Sequence, residues 1–162
     1  MLHIVNGDCA IEALKDSGIE GDFLSWLDVL HDEPVLEVLS QEELSEVRAD
    51  FIADCDWAVL EKAKNVFQKR DIVFRKCHDY DEVVPWNRFE LFDHLHIIQL
   101  LDGFAQTRNN FQHLCAIFID DCLGRVSIES LPHWLEKRES VSKKQLVLGQ
   151  LGWKAFPPKP LN

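Results

Sequence analysis

Residues 114–119 read Leu-Cys-Ala-Ile-Phe-Ile, an apolar run with no polar alternation. A half-exposed strand alternates apolar and polar residues. An unbroken run must be covered on both faces, which places it at the centre of a parallel sheet with helices above and below. This constrains the fold more than any other feature.

The rest of the chain supplies what such a sheet needs. Leu2 to Val5 is a second short apolar run, closed by Asn6-Gly7. Cys9 to Asp16 follows at helical spacing and stops at Ser17-Gly18. Asp22 to Trp26 reads as the next strand. Pro34 forbids a helix through the loop after it. Ser40-Gln41-Glu42-Glu43 has capping-box spacing, so a helix is expected from there to about Asp54. Another is expected from Asp56 or Trp57 to about Lys76. Glu82 to Trp86 reads as the third strand; its Pro85 lacks a donor and suggests an edge position or an irregular end.

A long helix is expected from Asn87 to Gln106, with Asn87 to Glu90 at capping-box spacing, then a loop at 107–112 and the run 114–119. A short helix at Leu131 to Lys137 and a helix capped by Ser142 and Gln145 to about Phe156 complete the pattern. Strands alternate with helices. The expectation is an α/β chain: a three-layer Rossmann-like sandwich with a mostly parallel sheet of four to five strands and helices on both faces. Residues 1–156 form one domain and 157–162 an extended tail.

Charge narrows the function. The chain has 17 Lys and Arg against 28 Asp and Glu, a formal net charge of −11. Such a chain repels phosphate backbones, so neither nucleic acid nor an anionic membrane is an expected partner. The basic residues Lys62, Lys64, Lys69, Arg70, Arg75 and Lys76 read as one solvated helix face. Five cysteines without a C-x-x-C pair argue against a disulfide framework or structural zinc and for a reducing, cytoplasmic setting. No basic leader followed by an apolar stretch opens the chain.

Ligands of open parallel sheets bind beyond the carboxyl ends of the strands. The residues expected there are Asn6, Gly7 and Asp8; Asp28, His31 and Asp32; Trp86, Asn87, Glu90, Asp93 and His94; and Asp120 and Asp121. Asn6-Gly7-Asp8 has two readings. Gly7 allows close approach of a ligand to a helix N-terminus, whereas Asp8 at the cap would satisfy those N–H groups itself. With residues placed 100° apart, Glu90, Asp93 and His94 fall inside the apolar arc of their helix and His96 opposite it. His31 between two carboxylates suits a general base, a metal ligand or a hydrogen-bonded loop residue. Asp8, Asp120 and Asp121 are candidate ligands for Mg²⁺ or Mn²⁺; Asp120 and Asp121 read equally as loop-initiating residues.

"LHIVNGDCAIEAL", "DFLSWLDVLHDEPV", "LSQEELSEVRADFI", "YDEVVPWNRFELFDHLHIIQLLDGF" and "LVLGQLGWKAF" together resemble a bacterial family of uncharacterised proteins with an N-terminal domain of unknown function. The likeness runs in order from residue 2 to about 156. It implies a compact α/β domain whose opening this chain matches at His3, Asn6, Gly7 and Asp8, with Trp26, Asp28, His31, Pro34 and Asp93 also matching. Where the family tends to have an acid, a histidine and an aspartate after the third strand, this chain has Arg88, Phe89 and Glu90. Leu27 stands where the family often has a basic residue.

The expected function is therefore binding of a small anionic ligand, a nucleotide or phosphate ester with a divalent metal, at the strand ends. Asn6, Gly7, Asp8, Asp28, His31, Trp86, Glu90 and Asp93 would line it. One alternative is a metal-assisted or acid/base hydrolase or transferase using His31, Asp93 or His94. Another is a non-enzymatic protein-interaction module whose acidic surface meets a basic partner, with Trp134 or Trp153 as exposed anchors; a homo-oligomer is also open.

Overall fold

The structure, a computed structural model, describes residues 1–32, 35, 40–106, 113–121, 123 and 125–156. The expectations for Pro34, Cys122, the loop 107–112 and the tail 157–162 lie outside the described residues.

Strand β1 (Leu2–Val5) is buried along its whole length, as its composition demands. Helix α1 (Asp8–Asp16), β2 (Asp22–Ser25), α2 (Gln41–Asp54), α3 (Leu60–Arg75) and β3 (Val83–Arg88) follow. Then come α4 (Leu91–Gln106), β4 (Cys115–Ile119), α5 (Leu131–Glu136), β5 (Glu139–Ser140) and α6 (Lys143–Ala155). The strand order is β2-β1-β3-β4-β5. β1 pairs parallel with β2 and β3, β3 parallel with β4, and β5 antiparallel with β4. The chain is α/β with a mostly parallel sheet, consistent with a three-layer Rossmann-like sandwich.

Alternation along the strands divides the core in two. Leu2, Ile4 and Val83 join Phe74, Leu100, Phe104 and Leu146 beneath α3, α4 and α6. Val5, Val84, Trp86, Ile117 and Ile119 join Ala13, Leu14 and Leu131 beneath α1 and α5. Strands that feed both layers must be apolar throughout. No described helix is long and apolar enough to cross a membrane.

Local signals start α2 and α6. Ser40 and Glu43 form a complete capping box, as do Ser142 and Gln145. α3 starts at Leu60, later than expected. At β3 the structure differs more. The strand continues to Arg88, and buried Asn87 donates to the Ile117 carbonyl at 3.4 Å instead of capping α4. Pairing with β4 outweighed the capping-box spacing. Pro85 lies in a central strand, not at an edge. The missing N–H is accommodated by a gap: β3 and β4 touch at the isolated bridge Val83–Leu114 and resume regular pairing only at Trp86–Ile117.

Helix α4 is buried on nearly every side, between the sheet, α6 and the loop after β2. It meets α6 very closely: a Cβ added at Gly149 would lie 2.3 Å from Leu101 Cβ. Only a residue without a side chain allows that approach.

Candidate functional site

β1 and β3 are neighbours, while α1 and α4 leave their ends toward opposite layers. Open parallel sheets bind ligands at carboxyl ends beside such a divergence. Gly7 takes φ 94° there and is the N-cap of α1. Asp8 is the first helical residue and makes no capping bond, contrary to the expectation that its carboxylate would close the helix end. The reason is the extra residue of turn that positive φ at Gly7 permits. The first turn of α1 therefore keeps its N–H groups free of any side-chain cap.

Opposite that turn, Asp93 in the first turn of α4 is 2% exposed. It accepts from Asn6 Nδ2 at 2.7 Å, from the Arg88 amide at 2.9 Å and from Arg88 Nε at 2.9 Å. One buried carboxylate thus ties the ends of β1 and β3 to α4. The Arg88 guanidinium also pairs with exposed Glu90, Nη2 lying 2.9 Å from Oε2. A charge-assisted, multiply bonded carboxylate of this kind holds geometry tightly.

Behind Asp93 runs a buried polar stripe on α4. His96 Nε2 lies 3.0 Å from the Asp28 carbonyl. Gln99 accepts from Trp26 Nε1 at 2.8 Å and donates to Gln41 at 3.3 Å. His96 is 4% exposed, and its burial lowers its pKa below 6.5, partly opposed by the bond to the Asp28 carbonyl.

The stripe abuts a buried ionic network. The Asp28 carboxylate accepts from Arg48 Nε at 2.9 Å and lies 3.8 Å from Arg70 Nη1. Arg48 also donates to the carbonyls of Val29 and Asp32. Arg70 stacks on Trp26 and Phe67, pairs with Asp71 at 3.0 Å and donates to Ser45. Two helices thereby hold the loop after β2 from inside the protein.

The expectation of a solvated face fails at Arg70, which is buried. Ala63, Phe67, Arg70 and Phe74 share one stripe at i, i+4, i+7, i+11, and that spacing was the signal available in the sequence. His96 and His94 exchange the places expected for them. His94 is exposed, its Nδ1 2.7 Å from the Glu90 carbonyl, because α4 is covered on the side taken for its polar face.

The structure brings together Asn6, Arg88, Glu90 and Asp93, with Gly7 and Asp8 at the adjoining turn. Asp28 belongs to the ionic network. His31 is exposed, 3.3 Å from Asp32, its ring edge-on to Phe92 at 4.2 Å. No described contact joins it to Asp8 or Asp93. Trp86 is in the core beneath α1, its Nε1 donating to His3 Nδ1 at 3.1 Å. Asp8, Asp120 and Asp121 are exposed, and no group of three or more His, Cys, Asp or Glu among the described residues is placed to hold a metal ion. Trp134 and Trp153, expected as exposed anchors, are half-buried.

Comparison with family models, curated proteins and solved structures returns no match to this chain.

Proposed function

We propose that the carboxyl ends of β1 and β3 bind a small anionic ligand, a nucleotide or phosphate ester. The observation that carries this reading is the Asn6–Asp93–Arg88 clamp beside an uncapped α1 N-terminus. Backbone N–H groups at a helix start, with the positive end of its dipole, favour a phosphate. Arg88 supplies a planar fork of donors at the same strand ends. Glu90, exposed and bonded to that fork, occupies the place an incoming anion would take. Asp8 in the first turn repels a bare anion, so the ligand is expected to arrive with its own Mg²⁺ or Mn²⁺.

Isothermal titration with inorganic phosphate and with ATP, each with and without Mg²⁺, tests this. Binding that requires Mg²⁺, weakens in Arg88→Ala and tightens in Glu90→Gln supports it. No heat from any of these ligands, or affinity indifferent to Arg88→Ala, refutes it.

A further inference from the structure

One stretch of the chain departs from the charge of the rest. Residues 137–156 carry five Lys and Arg against one Glu, whereas the other residues carry 12 against 27. Arg138 is bound to Glu82. Helix α6 lies in this stretch and has no acidic residue. Its charged residues are Lys143, Lys144 and Lys154, all exposed. Lys154 acts on the buried Asp102 of α4. Lys143 and Lys144 form no ion pair with a described residue. They stand in the first turn of α6, where the helix dipole is already positive, so the helix gains nothing from having them there.

The same helix is apolar toward solvent. Val147, Leu148 and Leu151 are 52%, 56% and 59% exposed, whereas Leu146 is buried against the core. A helix apolar on both sides is ordinarily covered on both. Beside the strip lies a groove. A cavity of about 460 Å³ between α4 and α6 is lined by Phe89, Ile98, Leu101, Phe118 and Leu148 among others. A second, of about 340 Å³, includes Trp134 and Lys137 in its lining. They share Phe89, Ala116, Phe118, Val141 and Gln145, so they form one groove. Phe89 is 61% exposed and stacks on the half-buried Phe118 at 5.5 Å. Of the 15 residues lining the groove only Lys137 and Glu139 are charged. Gln145, which lines both cavities, follows Lys144 directly, so positive charge borders the groove where α6 begins.

We propose that this face binds an acidic amphipathic helix of another protein, its apolar side chains seated in the groove and against α6, its carboxylates at Lys137, Lys143 and Lys144. Charge complementarity selects an acidic partner. Most of this chain repels one, and residues 137–156 attract it. The groove selects a helix. Its walls are α4 and α6, and a third helix packs between two helices by the same interdigitation that joins them. An added strand is the poorer fit, because β5 already holds β4 at Cys115 and Ala116 and leaves only residues 117–119 beyond it. The strip selects an occupant longer than a small molecule. Val147 and Leu151 line neither cavity, and a ligand filling the cavities would leave them bare. α6 has 13 residues, about 20 Å of helix for a partner to follow. An anionic bilayer would also meet the lysines. It is flat where the groove is concave, and the net charge of −11 repels it.

The test is selection of phage-displayed random peptides on the immobilised whole chain, the peptides about 16 residues long to allow about four helical turns. Fluorescence anisotropy of an enriched synthetic peptide follows. Enriched sequences are expected to carry more Asp and Glu than Lys and Arg, with apolar residues at i, i+3 or i+4, and i+7. Leu148→Glu and Phe89→Ser alter exposed positions, and each is expected to weaken the peptide more than about tenfold with unchanged circular dichroism. The double change Lys143→Glu with Lys144→Glu is expected to weaken it as well, and a peptide with Lys in place of its carboxylates should regain binding to that variant. No enrichment, or enrichment of neutral or basic sequences, overturns the proposal. So does peptide binding that both Leu148→Glu and Phe89→Ser leave intact. Binding to phosphatidylglycerol vesicles that Leu148→Glu abolishes, with no peptide enriched, overturns it in favour of a membrane.

Discussion

The two ends of the sheet invert the usual distribution of residues in opposite ways. Near β2, two arginines and two aspartates are enclosed: Arg48 and the Asp28 side chain have no exposed surface. Near β4, phenylalanine, leucine and valine stand outside. Burying a charge is costly unless every partner is present. Exposing an apolar strip forgoes about 25 cal/mol per Å² that a partner would recover. The first arrangement is bound inward, by bonds the monomer already makes. The second is open to solvent in the chain by itself. The difference separates residues that hold the loop after β2 from residues that the fold leaves uncovered.

Breaking the inner network is expected to have the largest effect. Arg48→Ala leaves the Asp28 carboxylate enclosed without its closest partner, and a loss of about 3–5 kcal/mol in urea unfolding follows. The double change Arg48→Met with Asp28→Leu sharpens the point: it removes both charges and should recover most of that loss. Additive losses in the double variant would mean that the pair is not coupled.

At the outer end, Gly149→Ala probes the base of the apolar groove. Its Cβ would meet Leu101 at 2.3 Å. Forcing α4 and α6 apart is expected to cost about 1–3 kcal/mol, measured by the same unfolding curves. An unchanged midpoint would show that α6 docks more loosely than the geometry requires.

A smaller effect belongs to His96 at the margin of the network. Burial holds its pKa below 6.5 in the folded protein. The unfolded chain therefore binds the proton first as pH falls. The contribution of neutral His96 is fully present above the unfolded value, about 6.5, and is lost as pH falls through the window down to the depressed folded value. His3 is shifted in the same direction by burial. His96→Gln should flatten the decline in stability between about pH 7 and pH 5 without abolishing it, because His3 remains. The smallest effect is expected for Leu148→Glu on monomer stability, within about 0.5 kcal/mol, since the side chain is already exposed. A larger loss at low protein concentration would place Leu148 in the core and contradict the comparison.

Much of the fold was legible because it rests on local rules. The apolar run 114–119 demanded cover on both faces, and β4 has it except at the half-buried Phe118; the expected central place fails, because β4 lies next to the edge beside the short antiparallel β5, and a strand's neighbour is not written in its own residues. The boxes Ser40–Glu43 and Ser142–Gln145 need only their own turns to form, and both did. The same spacing at Asn87–Glu90 failed because a longer-range competitor, pairing of Trp86, Asn87 and Arg88 with β4, claimed the residues first. Asp93 was found as a candidate from its place near a strand end. Its partners were not, because Asn6 and Asp93 are 87 positions apart and nothing local relates them.

The sequence by itself determined the class of the molecule: its alternation of strands and helices, two capped helix starts, and the region where β1 and β3 end. Those follow from periodicity and from bonds spanning a few residues. Only the tertiary structure decided which polar residues face inward. Arg48 and His96 carry no label that distinguishes a solvated charge from an enclosed one, since enclosure depends on elements that arrive from elsewhere in the chain. It likewise decided that β5 stops after two residues and leaves Phe118 facing outward. An edge is a property of what lies beside a strand, and no strand encodes its own neighbour.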